Sequence, residues 1–539
     1  MKDYPKSVKR LLKASDKHKF ESTYQLYNIF AKGLSVEADP GEADKFKRKC
    51  KEQLEGYQFR LASLALKNFK SVGGFKFNFG NSNTIVFVGN NGSGKSTVLE
   101  AIEKSLSNIT SRIATQSFNG DEIKEFEIKV GQHEPARIMA DFQLNGVSFP
   151  MELIGNHSLK SVSERSVFKG INHLSSLLKS MNDFGRFNFP LLASYNVERS
   201  NDVTTRDIDK SEEIIDSQVW DQSKAYSKSL NGKSDFKLFF RWFKELIEAR
   251  NDDSHEISKL RESLKEKQAF LDGPGLKAMK ESQKDSIAFD SFIKSYEDEI
   301  KQVKSKINNL STFKDNTLEQ VCNAIYEFLP SFSELRIQRK PLDMLVKKDG
   351  VEFSVLQLSQ GEKSLLALVA DIARRLMLLN PSLDNPLEGT GIVLIDEIDL
   401  HLHPSWQQKI VTGLARTFPN IQFFISTHSP QVCHTLDSNS VWLIDNGEAR
   451  KAPKGLRGSM SSWVLQNLFD VEPRPPEDKF TQDLAKYERI VYEDQYNSDE
   501  ARNLKEKLAE HFGYDYDILV KLDLYVENRE WEKEFEENK

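Results

Sequence analysis

One octapeptide in the first fifth of the chain has the residue types and spacing needed to hold a polyphosphate. Gly89-Asn90-Asn91-Gly92-Ser93-Gly94-Lys95-Ser96 fits the pattern G-x-x-x-x-G-K-[ST] and follows the apolar run Ile85 to Val88, as a strand feeding a phosphate loop should. Its glycines let backbone N–H groups converge on phosphate oxygens, Lys95 can neutralise the β and γ oxygens, and the Ser96 hydroxyl can ligate Mg2+. Thr97 carries the contacting set into a helix expected to start near Gly94, whose N-terminal dipole favours an anion. Far downstream, Ile392-Val393-Leu394-Ile395-Asp396-Glu397 sets two carboxylates after four apolar residues. Asp396 should therefore emerge at the carboxyl edge of a sheet, where ligands of open α/β sheets bind, and hold Mg2+ through water. Leu358-Ser359-Gln360-Gly361-Glu362 precedes this strand and Ser426-Thr427-His428 follows it.

These four segments, in this order, resemble the motifs of ABC-type ATPases of the SMC/RecF kind. The resemblance implies that Glu397 positions and polarises the attacking water and that His428 senses or stabilises the γ-phosphate, which with Lys95 makes the expected catalytic set. It also implies that Ser359, Gln360, Gly361 and Glu362 cap the nucleotide of an opposite head. Two heads would then meet around two ATP molecules, as a homodimer or a higher homo-oligomer. Asp399-Leu400-His401-Leu402-His403-Pro404 is similar to the D-loop of OLD-family ATPases, which implies an interface role for the two histidines rather than metal ligation. The Q-loop glutamine has two candidate locations, Gln143 and the segment Tyr195-Asn196-Val197-Glu198-Arg199.

The elements that must position these residues are legible as an α/β head interrupted by helices. More than half the chain separates Lys95 from Asp396, too much for one nucleotide-binding domain without an insertion. Residues 1–57 read as a helical N-terminal extension, in which Tyr24 to Lys51 resembles one tetratricopeptide unit needing an external surface to pack on. Residues 58–199 read as the N-lobe of the head, opening with a strand at Phe59 and the turn Asn68-Phe69-Lys70-Ser71, which resembles the corresponding turn of SMC/RecF heads. Ile128 to Val130, Arg137 to Leu144 and Val147 to Leu153 alternate as a side β-meander. Residues 200–335 read as a helical insertion. From Phe289, Ile293, Tyr296, Ile300, Val303, Ile307 and Leu310 recur at steps of three and four, a heptad seam. Ile257, Leu260, Leu264 and Leu271 supply a partner across Gly273-Pro274-Gly275, so a short antiparallel coiled-coil hairpin is expected over about 255–312. Residues 336–450 read as the C-lobe and 451–539 as a helical C-terminal region.

Bulk properties exclude more than they assign. With 539 residues and a formal charge of −6, the chain is not a polycation that could hold DNA by bulk electrostatics. The sequence lacks a long uninterrupted apolar run and begins without an apolar leader, so a cytoplasmic protein with no membrane partner is expected. Cys50, Cys322 and Cys433 are scattered and suggest neither a disulfide framework nor a thiolate zinc site.

After His428, the only D-x-D is Asp515-Tyr516-Asp517, which follows no apolar strand, so no nuclease in cis is expected. The whole arrangement resembles the PtuA family of Septu anti-phage ATPases, which also occurs in retron-associated form. That resemblance implies ATP and Mg2+ as cofactors, an HNH nuclease on a separate chain as partner, and in the retron form a reverse transcriptase with its branched DNA–RNA product. Two other readings are a RecF-like repair clamp that holds DNA, and a dimeric scaffold fixed by ATP with little turnover.

Overall fold

Short continuous apolar runs become strands covered on both faces, and such runs build the main sheet. In the computed structural model, which describes residues 4–54, 56–115, 120–157, 164–181, 187–197, 222–250, 255–272, 287–445 and 447–537, six strands lie side by side. They are β6 (Leu191–Tyr195), β10 (Gly391–Ile395), β11 (Ile421–Ser426), β3 (Thr84–Val88), β12 (Val441–Asp445) and β13 (Glu448–Lys451), in that order. All neighbours are parallel except β12 and β13. Every residue of β6, β10 and β11 is buried. The register, Tyr195 beside Ile395 beside Ile425 beside Val86, brings the carboxyl ends of β6, β10, β11 and β3 to one edge.

A second sheet is antiparallel, in the order β2 (Val72–Asn78), β1 (Phe59–Phe69), β4 (Ala136–Leu144), β5 (Val147–Gly155). The helix Lys95–Thr110 lies between the sheets, touching β10 and β11 on one side and β1 and β4 on the other. Ile128 to Val130, expected as a strand, makes a single bridge, Ile128 to Phe69, and Val130 is exposed. The preceding turn prevents pairing: the Glu127 carboxylate accepts from the Lys124 N–H at 2.8 Å and pairs with Lys104 at 3.2 Å. A third, smaller sheet runs β7 (Phe332–Arg339), β8 (Leu342–Lys348), β9 (Val351–Ser354). Its first strand begins inside the stretch expected to be wholly helical.

The N-terminal helices α1 (Lys6–Ser15), α2 (Phe20–Lys32) and α3 (Pro40–Gln53) bury Val8, Leu26, Phe30 and Phe46 among themselves. Asp39 caps α3, accepting from the Gly41 and Glu42 N–H groups, with Pro40 in the first turn where no N–H is needed. Tyr24 of α2 meets Phe149 of β5 edge-on at 5.9 Å, so this helical layer packs on the antiparallel sheet of its own chain.

Within the insertion the helices His255–Asp272 and Ile287–Phe328 lie against each other, with Phe270 and Tyr296 at 5.1 Å and Lys267 paired with Glu299 at 2.6 Å. The Gly273-Pro274-Gly275 turn and the side chains of Ile257, Leu271, Phe289, Ile307 and Leu310 lie outside the described residues. The second helix continues far beyond the hairpin, and its last turns bury Leu318, Val321, Ile325 and Phe328 in the head. A further helix, Phe236–Arg250, lies in the stretch read as helical but was not singled out there; its Phe239, Phe240, Trp242 and Phe243 are all fully buried. At roughly 1.5–3 kcal/mol per buried large apolar side chain, this face is a main anchor of the insertion on the head.

The signature helix, Gln360–Leu379, is buried over most of its length and carries an ionic cluster in its middle. Asp371, wholly buried, accepts from Arg374 and Arg375 at 2.8 Å each. Burial alone would raise the Asp371 pKa, but the two guanidinium groups, Arg375 foremost, hold it down to about 2. Because the folded value lies below the unfolded one, this contribution to stability is present above the ordinary Asp range and lost as pH falls toward 2. An acid series from pH 5 to 2 should show a loss of about 2 kcal/mol in unfolding free energy that Asp371→Asn no longer shows.

Ser459–Lys539 forms a separate unit of four helices with its own core of Leu484, Tyr487, Val491, Leu508, Leu519 and Leu522. Asp515-Tyr516-Asp517 lies at the turn entering its last helix, Asp517–Glu537. Among the described residues no helix is long and apolar enough to cross a membrane.

Candidate functional site

The loop after β3 is shaped by close approach. Gly89 has φ of 155°, and a Cβ placed there would lie 2.0 Å from the Ile444 carbonyl oxygen of β12. Gly94, at φ 110°, caps the helix that follows, and a Cβ there would press on Val72 and Phe75. Asn90, Asn91 and Gly92 are exposed between them, and Thr97 is half-buried on the helix. Gly89→Ala is expected to destabilise the fold by about 1–3 kcal/mol and to weaken ATP binding at least ~10-fold, since only a shift of the loop or of β12 removes the clash. Thermal melting and calorimetric ATP titration check both effects.

Lys95 is 5% exposed, and its ammonium donates to the carbonyls of Gly89 at 2.9 Å and Asn90 at 3.0 Å. Burial pushes its pKa down, while the negative charges of Asp396, Glu397 and Asp399 oppose the shift. The Ser93 hydroxyl is buried in the same loop without a hydrogen-bond partner, a donor that fits a phosphate oxygen.

Adjacent strands deliver the other groups. Asp396, one residue past β10, accepts from the Ser96 hydroxyl at 3.2 Å, so both sit where one cation could reach them. Two hard oxygen donors suit Mg2+, which keeps several waters and takes few protein ligands. Ser426, the last residue of β11, also donates its hydroxyl to Asp396 and accepts from the Glu397 N–H at 2.8 Å. Glu397 is thereby held at φ 46°, a backbone region that non-glycine side chains rarely adopt and that persists where neighbours enforce it. The Asp399 carboxylate accepts from the Thr427 hydroxyl and, at 3.4 Å, from the His428 N–H. Burial first, then the Lys95 ammonium, lowers the pKa of His428 and keeps its ring neutral near pH 7.

Ser359 to Glu362 are held as a pre-formed helix start. Ser359 caps the signature helix by accepting from the Glu362 N–H, and Glu362 in turn accepts from the Ser359 N–H at 3.1 Å and hydroxyl at 2.7 Å. Burial would raise the Glu362 pKa, but Lys348 at 2.7 Å and the Ser359 donors outweigh it and lower the value. A Cβ on Gly361 would lie 2.7 Å from the His401 carbonyl, so the signature and D-loop segments touch within one chain. Ser359 and Gln360 are themselves exposed.

The structure therefore gathers Lys95, Ser96, Asp396, Glu397 and His428 at one sheet edge and places Ser359 to Glu362 on their own helix start. Three residues named in the sequence only as members of motifs, with no role of their own, join the first group: Ser426, Asp399 and Tyr195, whose carbonyl accepts from the Asp396 N–H at 2.8 Å. Ser426 was legible as a hydroxyl closing an apolar strand; Tyr195 entered only as the first residue of a candidate Q-loop segment. Of the two Q-loop locations, Gln143 lies within β4 beside Arg60 and Ser148, whereas Tyr195 abuts the site; Glu198 and Arg199 lie outside the described residues.

Fold and site together define an ABC-type P-loop ATPase head of the SMC/RecF kind, on strand order and motif placement. Residues 85–433 match the family described as "AAA domain, putative AbiEii toxin, Type IV TA system". The chain is 49% identical over 537 residues, 99% of each protein, to the Retron Ec83 probable ATPase of Escherichia coli. It is 33% identical over 530 residues, 95% of this chain and 98% of the other, to the Retron Vc95 probable ATPase of Vibrio cholerae serotype O1 biovar El Tor. The Septu protein PtuA of Bacillus mycoides (strain KBAB4) is 40% identical over 95 residues, 18% of this chain and 13% of that protein. Among solved structures the Smc head domain of Pyrococcus furiosus aligns at 15% identity over 73% of this chain and 96% of that one, with a TM-score of 0.36. The chain belongs to the family of retron-associated ATPases.

Proposed function

We propose that this chain binds and hydrolyses ATP with Mg2+ in a site completed by a second copy, and that its nucleotide state controls an HNH nuclease on a separate chain in retron- or Septu-type anti-phage defence. Lys95 neutralises the β and γ oxygens, Gly89 to Thr97 cradle the phosphates, Glu397 holds and polarises the attacking water, and neutral His428 faces the γ-phosphate. Mg2+ would be held by Ser96 and Asp396 and, when bound, supplies charge neutralisation at the transferred phosphoryl group. Ser359 to Glu362 cap the nucleotide of the opposite head with a hydroxyl, a glycine backbone and a helix N-terminus.

The observation that carries this reading is the convergence of Ser96, Asp396 and Ser426 on one point beside Lys95, while the signature start stays exposed and spent on its own cap. The Ec83, Vc95 and Septu relatives support the defence setting by their names. In a cytoplasmic setting, the partners of this reading are a second copy, the HNH nuclease, a reverse transcriptase and its branched DNA–RNA product. Affinity purification of the tagged chain from its host with ATP present tests it. An HNH nuclease, with or without reverse transcriptase and short branched DNA, is the expected co-eluate. A lone dimer carrying only duplex DNA would replace this reading with a RecF-like clamp.

A further inference from the structure

Tyr195 makes two contacts that join otherwise separate parts of the site. Its carbonyl accepts from the backbone N–H of Asp396 at 2.8 Å, at the last paired position of β6 and β10. Its hydroxyl, on a side chain 1% exposed, donates to Asp371 at 2.9 Å. Asp371 belongs to the signature helix, whose first residue follows Ser359, and lies about 16 Å along the axis from that start at ~1.5 Å per residue. The same carboxylate oxygen accepts from Arg375, which also donates to the carbonyls of Ala225 and Ser227, so the cluster reaches the segment after the insertion begins. Every side chain in the cluster is buried, and Arg374 Nε and Arg375 Nη2 are buried without an acceptor. Such a packed ionic cluster passes displacement from one member to the next instead of absorbing it, because leaving a buried charge unpaired is costly.

We propose that Tyr195 is a positioning residue that ties the Mg2+-binding aspartate to the signature helix, so that engagement of Ser359 to Glu362 with the opposite head is transmitted to Asp396. The inference rests on the reading that two heads pair around ATP. A signature helix pushed or drawn along its axis on pairing moves Asp371, and Tyr195 carries that movement to the end of β10. Tyr195 touches neither nucleotide nor water in this scheme; it acts through Asp396.

Tyr195→Phe tests it in the full-length chain, since it keeps the ring packing and removes only the hydroxyl. Steady-state turnover, ATP-dependent dimerisation by sedimentation, and backbone hydrogen exchange are measured beside the wild-type chain. The expected result is a kcat about 10-fold lower with KM within about twofold and ATP-dependent dimerisation unchanged. In exchange, addition of ATP should protect both the signature helix and residues 391–397 in the wild-type chain, but only the signature helix in the variant. Wild-type kcat in the variant, or protection of both segments in it, would overturn the link. Loss of dimerisation together with turnover would make Tyr195 merely structural and overturn it as well. A wild-type chain that neither pairs nor turns over ATP would instead overturn the proposed function, and this inference with it.

Discussion

Glu397→Gln is expected to lower ATP turnover by roughly 10^2–10^4-fold, the range typical of removing a general base or water-orienting carboxylate, while ATP still binds and the paired heads persist. The argument is local. Glu397 follows Asp396, the proposed Mg2+ ligand, and its backbone N–H is pinned by the Ser426 hydroxyl at 2.8 Å, so the main chain that aims the side chain is fixed. Glutamine has the same length and meets the same backbone requirement at φ 46°, so the fold should be unaffected. What changes is one negative charge and one proton acceptor beside Lys95. Phosphate release assays measure the turnover, and size-exclusion chromatography with ATP should show a dimer that outlives that of the wild-type chain. Unchanged turnover would remove Glu397 from the chemistry.

Ser359→Arg is expected to abolish turnover, by at least ~10^2-fold, through a different failure. Ser359 is exposed at the start of the signature helix, with its hydroxyl tied to Glu362. An arginine there loses the cap, at about 1 kcal/mol, and projects a long cation where the opposite head must close. Lys95 and Ser96 lie on another segment and keep their own partners, so ATP affinity should change less than about threefold. Equilibrium ATP binding and sedimentation separate the two effects. Loss of ATP binding itself would contradict capping from the opposite chain.

Much of the main sheet was legible because its strands are apolar throughout: Ile85 to Val88, Ile392 to Ile395 and Phe423 to Ile425 are unmistakable as buried segments. The phosphate loop was legible because few other uses require glycines at those positions beside a lysine. What the pattern hid was chemistry that depends on distance between strands. Asp399 binding Thr427, Ser426 binding Asp396, and Tyr195 bridging Asp396 to Asp371 join residues far apart in the chain, and no local periodicity encodes such pairs. Phe236 to Phe243, inside the stretch read as helical, was not singled out for another reason: its aromatic residues follow both a helical and a strand-like spacing, and only packing against the neighbouring helices decides between them. The segment Ile128 to Val130 erred the other way, apolar at its ends yet fixed as a turn by the Glu127 carboxylate.

A mixing experiment with two inactive variants tests the central claim, that each ATP is bound by one copy and capped by another. Lys95→Ala removes the phosphate-binding charge but leaves its signature segment intact; Ser359→Arg does the reverse. Neither should turn over ATP alone. Mixed in equal amounts, the mixed pair regains one complete site, formed by Lys95 of one copy and Ser359 of the other, and activity up to about one quarter of wild type, the limit set by random pairing, is expected. A mixture as inactive as its components, with mixed dimers demonstrably present, would contradict the account.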